Sequence, residues 1–241
     1  MSAITFALGR FGPGDPVELL LGQYSNPAVV ERIREQRGLN DNIALQYGRY
    51  LSEVIRGDFG ESFKYRGRSV ADLLKKKMLV SAELNIAALI ISVGLGVPIG
   101  LYAALKQGTW VDTAVVFTVL GWQSVPVFLT APAALLIFAL HFDLLPTHGW
   151  GGFFDTRIIL PALVVGIPGV AFFTRLTRAS TLEVISQDYI RTARAKGLPE
   201  LAIRRRHILR NSLIPVVTIL GFSLAGLAFT SFIVERFFGI P

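Results

Sequence analysis

Four long stretches of the sequence contain no charged residue, and they restrict the chain to one kind of fold. The stretches are residues 84–105, 113–140, 158–174 and 212–234. Each approaches or exceeds the roughly 20 apolar residues with which a helix crosses the hydrocarbon core of a bilayer. Unpaired backbone groups in hydrocarbon are costly, and a helix satisfies its own, so we expect each stretch to be helical. The sequence therefore predicts an all-α, polytopic bundle of transmembrane helices.

Residues 14–78 precede these stretches and carry the start and stop signals of short helices. Residues 26–38 begin with an Asn-Pro pair and end at a glycine, and residues 41–57 repeat apolar side chains at helical spacing. A third helix is predicted to begin at Ser69, whose hydroxyl caps it while Asp72 completes a capping box. We expect a compact helical insert here.

The two ends of the chain complete the predicted organisation. Residues 1–13 contain one short apolar stretch, AITFAL, which cannot cross a bilayer alone. We interpret residues 1–13 as the remnant of a first transmembrane span. Residues 79–241 are predicted to form the transmembrane domain, with a basic loop over 179–211.

The distribution of charge predicts the orientation. Residues 175–210 carry nine Arg or Lys residues against three acids, so we expect this short loop in the cytoplasm. Alternation of the spans then places the turn at Lys106 inside, and residues 141–155 and 14–78 outside. Lysines 75–77 conflict with an outer position, but a long loop translocates largely regardless of its charge. Because orientation accounts for the net charge of +7, no nucleic-acid partner is predicted.

Several catalytic possibilities find no support in the sequence. It has no cysteine, no GxxxxGK[ST] phosphate loop and no HExxH metal motif. His141, Asp143 and His148 are candidate metal ligands, but their position at a span boundary favours interfacial anchoring. We therefore predict no metal site and no enzymatic activity for this chain.

Polar and helix-breaking residues within the spans are candidates for a translocation path. Gln123 and Ser124 lie beside Pro126 near the middle of one predicted span, and Pro168 interrupts another. In a transporter these residues would line a polar route. Hydrogen bonding between helices explains them equally well, so both interpretations stay open.

The basic loop has the pattern of two helices joined at a corner. Residues 188–196 are predicted to form one short helix that ends at Gly197. Pro199 is predicted to hold the first position of the next helix, followed by Glu200, whose charge suits the helix dipole.

Small residues in this loop indicate a protein partner. Tyr189, Ala193 and Gly197 are spaced four apart and are predicted to share one face. Small side chains on that face allow another backbone to approach, while Arg191, Arg194 and Lys196 are placed to pair with acids of the partner. A solvated basic loop is the alternative, and it explains the arginines but not the small residues.

The same loop resembles a known family. The segments QDYIRTARAKGL at 187–198 and RHILRNSLIPVVT at 206–218 resemble the cytoplasmic loop of ABC importer permeases of the dipeptide and oligopeptide type. Three further segments agree in order: PGDPVELLLG at 13–22, GDFGESF at 57–63 and RLTRASTLEVI at 175–185. In this superfamily the loop carries a Glu-Ala-Ala then Gly pattern. Its positions fall on Arg191, Thr192, Ala193 and Gly197, so the Glu and the first Ala are replaced here.

The resemblance implies a type I ABC importer permease in the plasma (inner) membrane of a prokaryote, importing dipeptides or oligopeptides. Its implied partners are a homologous second permease, two cytoplasmic ATPases, a solute-binding protein outside that meets residues 14–78, and membrane lipid. ATP and Mg would bind the ATPases, and this chain would bind no cofactor. Since such permeases ordinarily have six spans, the final span is expected to be absent from residues 79–241. The segment 188–200 would dock an ATPase through Asp188, Tyr189, Arg191, Thr192, Ala193, Lys196 and Gly197.

Other functions remain as alternatives. The same complex type imports nickel, glutathione or oligosaccharides, and a scaffold that docks a cytoplasmic protein without transport belongs to another class. An ion-coupled transporter is expected to hold carboxylates in mid-span, but none of the four charge-free stretches contains one.

Overall fold

The computed structural model describes residues 2–11, 27–36, 38–62, 65, 67–225 and 232–241. The chain divides into two compact units, Met1–Lys76 and Lys77–Pro241. In the described residues the elements of regular secondary structure are all helices. An isolated antiparallel β-bridge joins Glu61 to Ser69.

The first unit contains three short helices, α1 (Ser2–Phe11), α2 (Pro27–Gln36) and α3 (Ile43–Ile55). The ring of Phe6 in α1 lies 5.4 Å from that of Tyr47 and 5.6 Å from that of Tyr50, so α1 packs on α3 through aromatic contacts. Helix α3 begins two residues after the predicted start because the Asn42 side chain caps it, accepting the Ala44 N–H at 3.0 Å.

Helix α4 (Val70–Leu105) is 36 residues long and corresponds to about 54 Å of helix. The predicted third helix of the insert and the first full span are therefore one helix. The hydroxyl of Ser69 caps it as predicted, accepting the Ala71 N–H at 3.1 Å.

Residues 113–140, predicted as one span, form two helices with a sharp bend between them. Helix α5 (Trp110–Gln123) and the pair formed by α6 (Val127–Ala134) and a π-helical turn (Leu135–His141) meet at 97°. The break lies at Pro126, which lacks an N–H group and disfavours helical geometry at the preceding residue. Pro126 is predicted from the sequence as a helix-breaking residue near the middle of this span, and the bend lies at that position.

The remaining helices extend past the charge-free stretches. A 3₁₀ turn (Thr156–Ile158) leads into α7 (Ile159–Ile185), eleven residues beyond the predicted end at residue 174. After α8 (Asp188–Ala195), a helical run over Glu200–Leu224 begins twelve residues before the predicted start of the last stretch. It consists of α9 (Glu200–Ala202), a π-helical turn (Ile203–Leu209), α10 (Arg210–Ser212) and α11 (Ile214–Ala225). The prediction for residues 226–231 lies outside the described residues, and α12 (Phe232–Phe237) follows them.

Helices of membrane-spanning length confirm the predicted fold class. Among the described residues, three helices are long and apolar enough to cross a bilayer, and the bent pair makes a fourth if it forms one span. Small residues bring α4 and α7 together: a Cβ atom at Gly100 would collide with the Thr174 carbonyl, and Ser92 donates to the Gly166 carbonyl at 2.9 Å.

The second unit has two distinct ends. At one end, Val234, Phe238 and Ile240 join a buried cluster with residues of α4, α6 and α7, and the Gly149 N–H donates to the Phe238 carbonyl at 2.9 Å. At the other end, which we name the loop end, Asp112 at the start of α5 contacts Arg178 of α7 near the α7–α8 connection. The turn at Lys106 and the 179–211 loop therefore lie at the same end, as alternation of the spans predicts.

Candidate coupling site

Helix α8 has one face buried in a small apolar cluster of the loop. Ile190 and Ala193 pack with Ile203 and Ile208, and Val184 and Ile185 border the cluster. The four core members are at most 6% exposed. The loop thus has its own core, which fixes α8 against the π-helical turn and the end of α7.

Gly197 ends α8 because its backbone adopts a left-handed conformation, with φ of +75°. The Gly197 N–H donates to the Arg194 carbonyl at 2.9 Å, and the Leu198 N–H to the Ala193 carbonyl at 3.3 Å. Glycine is favoured at this position of a helix end since it has no Cβ atom to strain. A Cβ atom built at Gly197 would meet no atom within 4 Å, so the position faces open space.

The structure gives a different physical reason for the small side chain of Ala193. The sequence predicts that its small side chain lets a partner backbone approach, but this side chain is buried against Ile203 and Ile208. Ala193 does not share an exposed face with Tyr189, because the apolar side of α8 turns inward. A small residue is required here by packing inside the loop.

The other predicted docking residues form an exposed surface on α8 and its end. Arg191 pairs with Asp188 at 3.4 Å one turn away, and the Thr192 hydroxyl donates to the Asp188 carbonyl at 3.0 Å. Both members of the ion pair are well exposed, so the pair contributes little to stability. We name this set the exposed face of α8: Asp188, Tyr189, Arg191, Thr192, Lys196 and Gly197.

Polar contacts tie α8 to the helical run that enters the apolar region. The Asn211 amide donates to the Tyr189 hydroxyl at 2.9 Å, and Arg194 pairs with Glu200 at 2.8 Å. Pro199 is the N-cap, with ψ of 140°, and Glu200 is the first helical residue, so the predicted start is wrong by one residue. Together with the apolar core of the loop, these contacts connect α8 to residues 200–212, which follow the turn at Gly197.

Sequence reasoning missed one ion pair at the loop end, in which the carboxylate is buried and the guanidinium half-buried. Asp112 and Arg178 are joined by two hydrogen bonds of 2.6 and 2.8 Å. A signal was present, since Asp112 is the sole acid between Glu83 and Asp143 and stands at the start of an apolar stretch. Its partner lies 66 residues away and carries no local pattern that identifies it.

The predicted path residues fall into two groups. Gln123, Ser124 and Pro126 lie at the bend, where Arg175 donates to the Gln123 side-chain oxygen at 2.6 Å. Pro168 lies on α7 and lines an apolar cavity of about 470 Å³ together with Trp122 and Val125. The cavity brings Pro168 close to the bend, but Gln123 and Ser124 are not part of its wall.

The three candidate metal ligands do not converge. In the part of the chain that the structure describes, His141, Asp143 and His148 form no group suited to holding a metal ion.

Several apolar helices of spanning length, joined by a basic loop with its own helical core, define a multi-pass membrane protein. Two family models match the sequence. "Binding-protein-dependent transport system inner membrane component" matches residues 96–241, and the corresponding N-terminal model matches residues 1–77. The chain belongs to this family of transport permeases.

Relatives cover almost the whole chain. The oligopeptide transport system permease protein OppB of Escherichia coli K12 is 39% identical over 239 residues, covering 99% of this chain and 77% of the relative. The dipeptide transport system permease protein DppB of Bacillus subtilis 168 is 36% identical over 241 residues, covering 100% of this chain and 77% of the relative. These matches confirm the resemblance identified from the loop.

Proposed function

We propose that this chain is a permease subunit of an ATP-driven importer of dipeptides or oligopeptides in the plasma membrane of a prokaryote. Relatives named for oligopeptide and dipeptide transport support the choice of solute. The family description supports an inner-membrane location and delivery of solute by a binding protein.

One observation carries the mechanism: α8 combines an exposed face with a buried core that joins it to the next membrane helix. A motor that pushes the exposed face would move α8 as a rigid piece. Through the Ile190–Ile203 contact and the Tyr189–Asn211 hydrogen bond, the push would reach residues 200–212 and then α11. Such rigid-body transmission is one known route to alternating access.

The family supports the partners that we propose. Two cytoplasmic ATPases would bind ATP and Mg, and one of them would receive the exposed face of α8. A homologous second permease would complete the translocation path. A solute-binding protein outside would meet residues 14–78, and this chain itself would bind no cofactor.

The bend and the adjacent cavity are the proposed path. Gln123 and Ser124 would form hydrogen bonds with the peptide backbone, while Pro126 maintains the bend between α5 and α6. Pro168 lines the apolar cavity beside them, where apolar side chains of a peptide would fit.

Reconstitution tests the proposal. The permease pair, the two ATPases and the binding protein are placed in liposomes, and ATP hydrolysis and uptake of a labelled peptide are measured together. We expect peptide-loaded binding protein to stimulate both, and peptide-free binding protein to serve as the control. ATP hydrolysis that does not respond to the peptide-loaded binding protein, together with no uptake of the peptide, would identify a scaffold instead of an importer.

A further inference from the structure

Asp112 and Arg178 form a two-point polar contact at the loop end of the second unit. The Arg178 Nε atom donates to one Asp112 oxygen at 2.6 Å and an Nη atom donates to the other at 2.8 Å. The Gly108 N–H also donates to Asp112, at 3.2 Å. The Asp112 side chain is 8% exposed and that of Arg178 is 27% exposed. A forked guanidinium–carboxylate contact of this kind fixes orientation as well as distance.

The pair lies between the start of α5 and the last turns of α7. Asp112 lies in the first turn of α5, directly after the turn at Lys106. Arg178 lies two turns before α7 ends at Ile185, and α8 begins three residues later. The pair thus joins the start of one membrane helix to the segment that carries the coupling site.

The burial of Asp112 makes the pair hard to separate. A carboxylate removed from water needs its charged partner, because an isolated buried charge is strongly unfavourable. Exposed pairs such as Arg191–Asp188 exchange freely with water and transmit no such constraint. When the loop end of α7 moves, α5 has to move with it or leave Asp112 without its partner.

We propose that Asp112 and Arg178 form a positioning pair that makes α5 follow α7 in each transport step. The inference rests on the proposed function, because it assumes that motion enters through α8. Since α5 leads directly to the bend at Pro126, the pair connects the coupling site to the proposed path. Without it, movement of α8 and α7 reaches the path through apolar contacts and through the Arg175–Gln123 hydrogen bond at the bend.

The test separates ATP hydrolysis from uptake in the reconstituted complex. Asp112→Asn and the milder Arg178→Lys are compared with the double exchange Asp112→Arg with Arg178→Asp. We expect both single variants to keep the ATPases bound, while the ATP consumed per imported peptide rises about tenfold, a typical size for coupling between sites. The double exchange is expected to recover most of the normal ratio. Asp155→Asn at the opposite end is the matched control, since Asp155 forms a half-exposed pair with Arg157.

A distance measurement covers the case in which a substitution prevents folding. The chain has no cysteine, so spin labels at Thr113→Cys and Glu183→Cys report the separation of α5 from the end of α7 in an otherwise unchanged protein. We expect this distance to be the same with and without ATP. A nucleotide-dependent change, or an unchanged ATP-to-peptide ratio in Asp112→Asn, would overturn the positioning role. Failure of the unsubstituted complex to import would instead contradict the proposed function.

Discussion

At Gly197 the backbone and the proposed ATPase impose separate requirements on one residue. The left-handed φ of +75° disfavours any side chain, whatever its size. A Cβ atom at this position would meet no atom within 4 Å, so the chain itself leaves room for an alanine side chain. We therefore expect a loss that grows with side-chain size to come from the partner.

The first prediction uses this separation. Gly197→Ala and Gly197→Trp carry the same backbone cost, roughly 1–2 kcal/mol for a left-handed residue. We expect Gly197→Ala to retain most of the bound ATPase, and Gly197→Trp to lose at least tenfold more of it, which corresponds to about 1.4 kcal/mol. Co-purification of the ATPase with each variant measures the difference, and membrane insertion of the permease is the control. Equal losses for the two variants would show that the glycine serves the backbone alone.

The local sequence pattern predicts α8 but not which of its sides is buried. The spacing of Tyr189, Ala193 and Gly197 identifies a helical repeat. The apolar residues that bury Ala193 come from beyond the corner, at Ile203 and Ile208, and a pattern within α8 does not reveal them. The Asp112–Arg178 pair escaped prediction for the same reason, because the fold alone brings its members together.

At the scale of single helices, the charge-free stretches identify the apolar segments, but the helices extend beyond them. Helix α7 continues past Arg175, which contacts Gln123, and past Arg178, which pairs with Asp112. Arginine is a good helix former, so a charge ends the apolar stretch without ending the helix. In the last segment the charge-free stretch likewise covers only part of the helix, since the basic residues 204–210 belong to the same helical run.

The bend between α5 and α6 is assigned to Pro126, which yields the second prediction. Pro126→Ala restores an N–H group that is able to donate to the Trp122 carbonyl, and it removes the cost of about 3 kcal/mol that a proline would impose inside a continuous helix. We expect the bend to open. Spin labels at the exposed positions Phe117 and Leu136 would then separate by roughly 10 Å more, given a rise of 1.5 Å per residue.

A second proline in the same segment supplies the control. Pro132 lies inside α6, where the chain is helical on both sides. Pro132→Ala is expected to leave the label separation unchanged. If both substitutions leave it unchanged, the bend is held by packing against α7 and not by Pro126.

At the scale of the whole molecule, the two ends of the second unit differ in character. The loop end is basic and polar, with the half-buried Asp112–Arg178 pair and the exposed face of α8. The opposite end is closed by an apolar cluster that includes Val234, Phe238 and Ile240. This asymmetry agrees with a loop end in the cytoplasm, where short basic loops concentrate.

The last prediction tests that orientation with single cysteines. The chain has no native cysteine, so each introduced thiol reports one position. Trp110 and Arg204 are exposed at the loop end, and Phe154 is exposed at the opposite end. Arg68 is exposed in the insert that we expect to lie outside. Arg68 is preferred to Ser69, since the Ser69 hydroxyl caps α4 and its loss would disturb the helix start.

An impermeant maleimide applied to intact cells or to inverted vesicles distinguishes the two faces. We expect Phe154→Cys and Arg68→Cys to react from outside, and Trp110→Cys and Arg204→Cys only in inverted vesicles. Because the Asp112–Arg178 contact joins the Lys106 turn to the coupling loop, Trp110 and Arg204 have to react from the same side. Reaction of both from outside would invert the proposed topology and separate α8 from any cytoplasmic ATPase. Reaction of Arg68 from the cytoplasm would leave the coupling site in place and move the insert away from a binding protein outside.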